Sequence, residues 1–430
     1  MDMIAEMSEK INALFDSTFL EQLARENLFL QRKRKVLPQQ FLISLMQQRI
    51  TAPKSSLEQL ACEYERHGRA ISKQALHKKF NTAGVSFMRR VLEALLTQLK
   101  GPPQAYFGLL SFVKDVKIVD SSEVRLNSHL GKKFPQVRNQ GAAVKVQALM
   151  SGLNEAIYSL EIRSSKEPDQ SYKNAINELA AGDLYLGDLG YFQVETFKKI
   201  ADNGSYFLSR YFTKTHVYDA IKGSKIELRS LLSGASSEVI EQEILLGEQK
   251  FPCRLVALRL PEEAYQKRLR TIASKKRKDP RSKIALDDVL HRWTLFVTNL
   301  SDEVETKNLL EIYRLRWQIE LLFKMMKTFL QVRKIENSNE HGALMSLYVS
   351  LILVTLLSMT AMTIVGPEIS LYKASRLLIY HLKDLLEGII HKNRNVFIWF
   401  RGLLCKFALK ERRARRPSTK QRLDWRAIYA

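Results

Sequence analysis

The sequence predicts a mixed α/β protein in which a central sheet is flanked by helical regions at both ends of the chain. Between residues 106 and 212, runs of β-branched and aromatic residues alternate with helix-forming segments. Apolar residues recur at helical spacing in residues 1–105 and again in residues 341–430. With 430 residues and 45% hydrophobic content, the chain can bury a sizeable core in two to four domains.

The charge of the chain indicates a polyanionic partner. Lys and Arg number 68 against 45 Asp and Glu, so the formal net charge is +23. Nucleic acid is the leading candidate, and an anionic membrane surface is the second. The three cysteines are far apart, and the N-terminus carries no signal-peptide pattern. We therefore expect a protein of a reducing, cytoplasmic setting.

Residues 1–105 predict a helical DNA-binding domain. The segment 57–80 has helix-turn-helix form, with a turn at Gly68 and a second helix that Ser72 can cap. That helix offers side chains that can contact bases and phosphates in a major groove, namely Lys73, Gln74, His77, Lys78 and Lys79. A helical hairpin with a solvated basic face would look similar, so the structural alternative stays open.

Residues 106–212 predict the first part of the sheet. We expect strands at 116–126, 142–152, 156–163, 183–192 and 205–212, and helices at about 171–180 and 194–201. Asp120 and Asp188 lie where two of these strands end. Open α/β sheets place ligands at such strand ends, although an Asp there is often only a turn former.

The second half of the chain predicts an insertion, the rest of the sheet and a helical end. Residues 213–290 predict a mostly β insertion with a basic arm, and residues 291–340 return to the sheet with a strand that begins at Trp293. Residues 341–430 predict helices and a basic tail. Their apolar segment 343–365 is long enough to span a bilayer, but its Ser and Thr content favours a buried core helix.

One predicted helix, from Tyr313 to Lys327, carries a polar stripe. Tyr313, Arg316, Glu320 and Lys327 follow one another at steps of three, four and seven residues, which places them on one helical face. An apolar stripe on another face can bury the helix. A carboxylate flanked by cations suits a metal ion beside a phosphate backbone, although a surface helix with internal ion pairs has the same spacing.

Three carboxylates form a candidate metal site. Asp120, Asp188 and Glu320 could hold two Mg²⁺ ions, because Mg²⁺ prefers oxygen ligands. Two such ions activate an attacking water or 3′-hydroxyl and stabilise the leaving oxygen at phosphorus. The sequence has no phosphate-binding loop, nucleophile elbow or HExxH pair, so it favours no other chemistry.

These residues resemble a known family. The strand ending VDSS at Asp120, the segment LGDLGY at Asp188 and the pattern Y-x2-R-x3-E-x6-K from Tyr313 are similar to DDE transposases of the insertion-sequence-four family, which carry a YREK signature. The resemblance spans roughly residues 110–335. It implies an RNase H-like core with a β insertion, a homodimeric synaptic complex, and binding to double-stranded DNA at terminal inverted repeats and at a target.

The resemblance also implies roles for individual residues. Asp120, Asp188 and Glu320 would hold two Mg²⁺ ions, which Mn²⁺ can replace. Tyr313, Arg316 and Lys327 would hold phosphates near the cleaved end, and Trp293 matches a position where a relative stacks a flipped base. The implied reaction is nicking, 3′-hydroxyl attack to form a hairpin, hairpin opening and strand transfer.

Two other functions are compatible with the same sequence. A catalytically silent DNA-binding relative, acting as a regulator or inhibitor, would use the same basic surfaces. A membrane-associated protein would be built on residues 343–365. Metal-dependent nicking of a cognate DNA end distinguishes the transposase from both.

Overall fold

The chain folds around one mixed sheet that helices cover on both faces. The computed structural model describes residues 3–32, 36–51, 56–66, 70–99, 111–137, 141–278, 285, 288–302, 304–330, 332–362 and 369–409. The strands are β1 (Val116–Leu126), β2 (Ala142–Ser151), β3 (Ile157–Ser164), β4 (Leu184–Leu186), β5 (Tyr206–Arg210), β6 (Val217–Asp219), β7 (Val239–Leu246), β8 (Phe251–Arg259), β9 (Trp293–Thr298) and β10 (Lys334–Ile335).

The order of the strands confirms the predicted α/β class and the RNase H-like core. Within the described residues, ten strands form one sheet in the order β3-β2-β1-β4-β5-β9-β8-β7-β6, and β10 pairs with β1. Strands β1, β2 and β3 are antiparallel neighbours, whereas β4 and β5 run parallel to β1. The insertion strands β6, β7 and β8 extend the same sheet beyond β9.

The helices before the sheet form the N-terminal region. They are α1 (Met3–Leu14), α2 (Ser17–Glu26), α3 (Pro38–Thr51), α4 (Leu57–Glu65), α5 (Lys73–His77) and α6 (Thr82–Leu99). The predicted cap at Ser72 is confirmed, since its side chain accepts a hydrogen bond from the Ala75 amide. The predicted turn at Gly68 lies outside the described residues.

The remaining helices lie within and after the sheet. They are α7 (Asn174–Asn177), α8 (Val194–Asp202), α9 (Leu228–Ser233), α10 (Glu262–Lys278), α11 (Thr306–Arg314), α12 (Trp317–Phe329), α13 (Glu340–Met362), α14 (Leu371–Tyr380), α15 (Leu382–Ile390) and α16 (Arg394–Phe407). The predicted basic tail, residues 410–422, lies outside the described residues. The boundaries of the five predicted regions stay a prediction.

The insertion contains helices as well as the strands β6, β7 and β8. Helix α9 follows β6, and most of the basic arm is helix α10. Helix α10 begins with Glu262 and Glu263 and ends in four consecutive basic residues. This distribution stabilises a helix, because acidic residues favour the positive end of its dipole and basic residues the negative end.

The long apolar helix α13 is a core helix, as predicted. By length and composition, 340–359 is the one stretch of the described chain that could cross a membrane, and 89% of its most apolar window is buried inside the protein. The helix packs against α3, α6 and α14. Its apolar character is therefore explained by contacts within the chain.

Side chains of β1 alternate between two apolar layers, one on each face of the sheet. Ile118 packs in the layer that includes the N-terminal helices, α12 and α13. Val119 packs in the other layer, with α8 and β9. Successive side chains of a strand point to opposite faces of the sheet. Asp120 therefore lies on the same face as Ile118, and Ser121 lies on the same face as Val119.

Candidate active site

Asp120 lies in the middle of β1 rather than at the predicted strand end, whereas Asp188 follows the end of β4 as predicted. Ile118 of β1 pairs with Leu186 of the parallel strand β4, and Asp120 and Asp188 each follow two residues later on these neighbouring segments. Burial raises the pKa of Asp120 to about 6, and repulsion from Asp188 adds to this rise. Burial likewise raises the pKa of Asp188. The two carboxylates therefore share a poorly solvated position where a cation would be stabilised.

Local hydrogen bonds fix both carboxylates. One oxygen of Asp120 accepts from the Ser121 amide at 2.7 Å. One oxygen of Asp188 accepts from the Gly190 amide, also at 2.7 Å, and caps a short 3₁₀ turn. Asp188 is therefore a turn former as well as a candidate ligand. Each carboxylate keeps a second oxygen for other partners.

The helix that was predicted to run unbroken from Tyr313 to Lys327 is interrupted. Helix α11 ends at Arg314 and α12 begins at Trp317. The amides of Leu315 and Arg316 bond to carbonyls three residues earlier, which winds this turn more tightly than an α-helix. The apolar stripe is nevertheless buried as predicted at its described side chains, Leu315, Ile319, Leu322 and Met326.

Arg316 lies between the strand and helix carboxylates. Its guanidinium pairs with Asp120 Oδ2 at 3.1 Å and with Glu320 Oε1. Burial opposes the charge on Arg316, but Tyr313, Glu320 and Asp120 together raise its pKa. The structure thus brings Asp120, Arg316 and Glu320 into one contact, with Asp188 close enough to affect both Asp120 and Arg316.

The donor set fits a hard divalent cation, but it is not a preformed metal cage. Among the described residues, no three His, Cys, Asp or Glu side chains form a group that could hold a metal ion. Asp120 and Glu320 instead share the Arg316 guanidinium. The carboxylate oxygens of Asp120 and Glu320 are ligands that a hard divalent ion prefers, and such an ion would relieve the repulsion between the two negative charges. Binding such an ion requires Arg316 to move away.

The other two residues of the polar stripe lie at the same edge. The Tyr313 hydroxyl donates to the carbonyl of Gly187, directly before Asp188, at 3.2 Å. Lys327 is half-buried and makes no hydrogen bond or ion pair with any residue the structure describes. Burial lowers the pKa of Lys327, with repulsion from Arg333 as the second cause. Lys327 is thus placed to receive an anion, whereas Tyr313 holds the segment before Asp188.

Trp293 is buried rather than exposed. Its side chain is only 2% exposed, and the Arg259 guanidinium lies 4.9 Å from the ring. It lines a cavity of about 1120 Å³, together with Leu189 beside Asp188. The other lining residues include the basic side chains of Arg210, Lys214, Arg229, Lys267, Arg268 and Lys275. A phosphate backbone is the ligand that such a lining favours.

Trp317 is an aromatic side chain that the sequence analysis overlooked. It is 61% exposed and lies three residues before Glu320 on α12. Leu321, one turn later, is 49% exposed. Both fall outside the buried apolar stripe, and a large apolar residue off that stripe is the signal that could have identified them.

The predicted DNA-contacting residues of the helix-turn-helix segment differ in availability. Gln74, His77 and Lys78 are exposed. Lys73 is also exposed, but it pairs with Glu58 at 2.6 Å. Lys79 donates to the carbonyl of Phe29 and lies over that ring, so it stabilises the N-terminal region. Helix α5 ends at His77, so Lys78 and Lys79 follow the helix.

Comparison with known proteins matches the region that contains the site. The model of the Transposase DDE domain family matches residues 111–354, more than half of the chain. The chain is 27% identical over 415 residues to the transposase for insertion sequence element IS231F of Bacillus thuringiensis subsp. israelensis, covering 89% of this chain and 86% of that protein. It is 28% identical over 383 residues to the transposase for insertion sequence element IS1151 of Clostridium perfringens, covering 83% and 80%.

A solved structure is similar over most of the chain. The cryo-EM structure of a piggyBac transposase synaptic complex with hairpin DNA aligns with 97% of this chain and 83% of that chain, at a TM-score of 0.45 and 9% identity.

Proposed function

This chain belongs to the Transposase DDE domain family, and on that basis we propose that it moves an insertion sequence by cutting and rejoining DNA. It is an enzyme of the DDE transposase type. The observation that carries the proposal is the contact of Asp120 and Glu320 with Arg316, with Asp188 just after the adjacent strand β4. The alternative of a catalytically silent relative is not favoured, since Asp120, Asp188 and Glu320 are all present.

We assign the metal site to Asp120, Asp188 and Glu320. Transposases of this family use divalent metal ions, and we propose two Mg²⁺ ions here, with Mn²⁺ as a substitute. These carboxylates would hold the ions, and the chemistry supplied there would be activation of a water or 3′-hydroxyl and stabilisation of the leaving oxygen. Arg316 leaves its two carboxylates and, with Lys327, contacts phosphates of the DNA. Tyr313 keeps the Asp188 segment in place through the Gly187 carbonyl.

The proposed substrate is double-stranded DNA at the terminal inverted repeats of the element and at a target. Gln74, His77 and Lys78 are the exposed candidates for contacts with the repeats. The basic cavity beside Asp188 is the candidate path for the cleaved strand. We propose that cleavage proceeds by nicking, 3′-hydroxyl attack to form a hairpin, hairpin opening and strand transfer.

We propose a homodimer in the synaptic complex. The last helices expose large aromatic side chains, among them Tyr380 at 82%, Trp399 at 42% and Phe407 at 56%. Tyr380 and Trp399 both contact the His381 ring and so form one exposed aromatic patch, and such patches are typical of surfaces that bind another protein. A second copy of this chain is the partner that a two-ended element requires.

The test is metal-dependent cleavage of an element end. A labelled duplex taken from the DNA that flanks the gene is incubated with the wild-type protein and Mg²⁺, and the products are separated under denaturing conditions. We expect a nick at the element end and then a hairpin, and chelation of the metal should remove both. A protein that binds the duplex but never cuts it, with Mg²⁺ or Mn²⁺, would instead be the catalytically silent relative.

A hairpin intermediate predicts different roles for two tryptophans. Exposed Trp317 can stack on a displaced base without rearrangement, whereas Trp293 can do so only after Arg259 moves. Base stacking on an aromatic side chain contributes about 1–3 kcal/mol. Trp317→Ala should therefore slow hairpin formation about tenfold or more without loss of folding stability.

The matched variant is Trp293→Ala. Truncation of this buried ring should destabilise folding by about 3–5 kcal/mol. Fluorescence of 2-aminopurine at the terminal base reports stacking, and thermal melting reports stability. Loss of the fluorescence change in a folded Trp293→Ala protein, together with a normal change in Trp317→Ala, would assign the stacking to Trp293 instead.

A further inference from the structure

A fourth carboxylate, Asp169, lies beside the two segments that carry the candidate ligands Asp120 and Asp188. It begins a short 3₁₀ turn, Asp169–Ser171, that follows β3. Asp120 meets Arg316 of α12 on one face of the sheet, whereas its neighbour Ser121 meets Asp169. Because successive strand side chains point to opposite faces, Asp169 supports the site from the face opposite Arg316.

One oxygen of Asp169 joins two neighbouring strands. Its Oδ1 accepts from Ser121 Oγ at 2.8 Å, from Lys145 Nζ at 2.9 Å and from Gln147 Nε2 at 3.1 Å. Ser121 of β1 and Gln147 of β2 are partners in the sheet. Three donors on one carboxylate oxygen hold the residue after Asp120 in a fixed position.

The second oxygen of Asp169 faces the turn that carries Asp188. A Cβ atom built on Gly190 would lie 3.0 Å from Asp169 Oδ2 and 3.0 Å from Asp188 Oδ1. The two carboxylates therefore both face Gly190, where a side chain would be crowded. Gln147 also accepts a hydrogen bond from the Tyr191 hydroxyl, which links the same network to the end of this turn.

The charge of Asp169 is compensated locally. Lys145 pairs with it, and the two side chains are only 14% and 25% exposed. Lys145 is itself fixed by a further hydrogen bond to the Glu167 carbonyl at 2.8 Å. A half-buried ion pair with this many partners is well ordered, so it can hold both strand ends in a constant geometry.

We propose that Asp169 is a positioning residue for the metal-binding carboxylates. It sets the placement of Asp120 relative to Asp188 by holding Ser121 on one side and the Gly190 turn on the other. The inference rests on the proposed function, because it takes Asp120 and Asp188 as metal ligands. Groups that orient metal ligands in this way change metal affinity by about ten- to a hundredfold when they are removed.

The test is Mn²⁺ binding by the full-length variant Asp169→Ala in the absence of DNA. Binding is measured from the loss of the electron paramagnetic resonance signal of free Mn²⁺. We expect about tenfold weaker binding than in the wild type, and a matching rise in the Mg²⁺ concentration that gives half-maximal cleavage. Asp169→Asn keeps an oxygen that can accept from Ser121, so it should recover part of the affinity. Ser121→Ala removes one link without leaving Lys145 unpaired, and should weaken binding in the same direction.

The matched control is Asp115→Asn at the opposite end of β1. Asp115 also accepts several hydrogen bonds, from Ser151, Tyr158 and Lys117. This variant should lower the melting temperature and leave Mn²⁺ affinity unchanged. Unchanged Mn²⁺ affinity in folded Asp169→Ala and Ser121→Ala proteins would overturn the inference about Asp169 and leave the proposed function intact. A wild type that neither binds Mn²⁺ nor cuts DNA would overturn the proposed function and the inference with it.

Discussion

Replacing Glu320 with alanine is expected to abolish DNA cleavage and to leave binding to the element end intact. Glu320 is the carboxylate that α12 brings close to Asp120, and Arg316 bridges the two side chains. Loss of one metal ligand should slow cleavage by about a thousandfold or more, which corresponds to about 4 kcal/mol in the activation barrier. Denaturing gels measure cleavage of the labelled duplex, and a gel shift measures binding.

The chain offers a matched control for this variant in Glu311→Ala. Glu311 lies on the preceding helix and pairs with Arg314. Because Glu311 takes no part in the contact between Asp120, Arg316 and Glu320, its removal should change neither cleavage nor binding appreciably. Cleavage by Glu320→Ala at the rate of Glu311→Ala would exclude Glu320 from the site.

Replacing Arg316 with glutamine is expected to have opposite effects on two properties. Arg316 is the cation that Asp120 and Glu320 share in the absence of metal. Its removal should tighten Mn²⁺ binding without DNA, by about three- to tenfold, because the ion no longer competes with an internal cation. Cleavage should nevertheless fall by about a hundredfold, since a charged contact to phosphate is lost.

Arg314→Gln is the matched control for the arginine. Arg314 lies two residues earlier and pairs only with Glu311 among the described residues. It should resemble the wild type in both Mn²⁺ affinity and cleavage. Weaker Mn²⁺ binding by Arg316→Gln would show that the guanidinium supports the metal site rather than competing for it.

The two strands that lead to the aspartates were predictable because their signals are local, although Asp120 lies in the middle of β1 and not at the predicted strand end. An apolar β-branched run before Asp120 predicted β1, and the short run before Asp188 predicted β4. Parallel pairing of these strands then brings the two aspartates to one edge. The spacing from Tyr313 to Lys327 predicted the helical face, because periodicity depends only on the residues within the segment.

Features that depend on contacts between distant segments could not be predicted. The tight turn at Leu315 and Arg316 interrupts a pattern that is helical throughout its sequence. Asp169 lies in the loop EPDQS, and acidic residues are common in loops, so the sequence does not distinguish it. Its partners lie 48, 24 and 22 residues away, so its position between Asp120 and Asp188 appears only in the folded chain.

The exposure of the two tryptophans could not be predicted from the sequence either. Trp293 opens a strand in a way that suits either a core residue or a base-stacking residue, and the fold buries it beneath Arg259. Trp317 lies in the same helical segment as Glu320, yet its exposure depends on which face of α12 packs on the core. Packing of Leu315, Ile319 and Leu322 inward leaves Trp317 outside.

The most direct test of the central claim is the metal dependence of cleavage by Asp188→Cys. If Asp188 binds the catalytic ion, a thiolate at this position should support Mg²⁺ poorly, because Mg²⁺ prefers oxygen, and should support the softer Mn²⁺ better. We predict that the cleavage rate of this variant relative to wild type is at least about tenfold higher in Mn²⁺ than in Mg²⁺. An equal ratio in the two ions would contradict the assignment of Asp188 as a metal ligand.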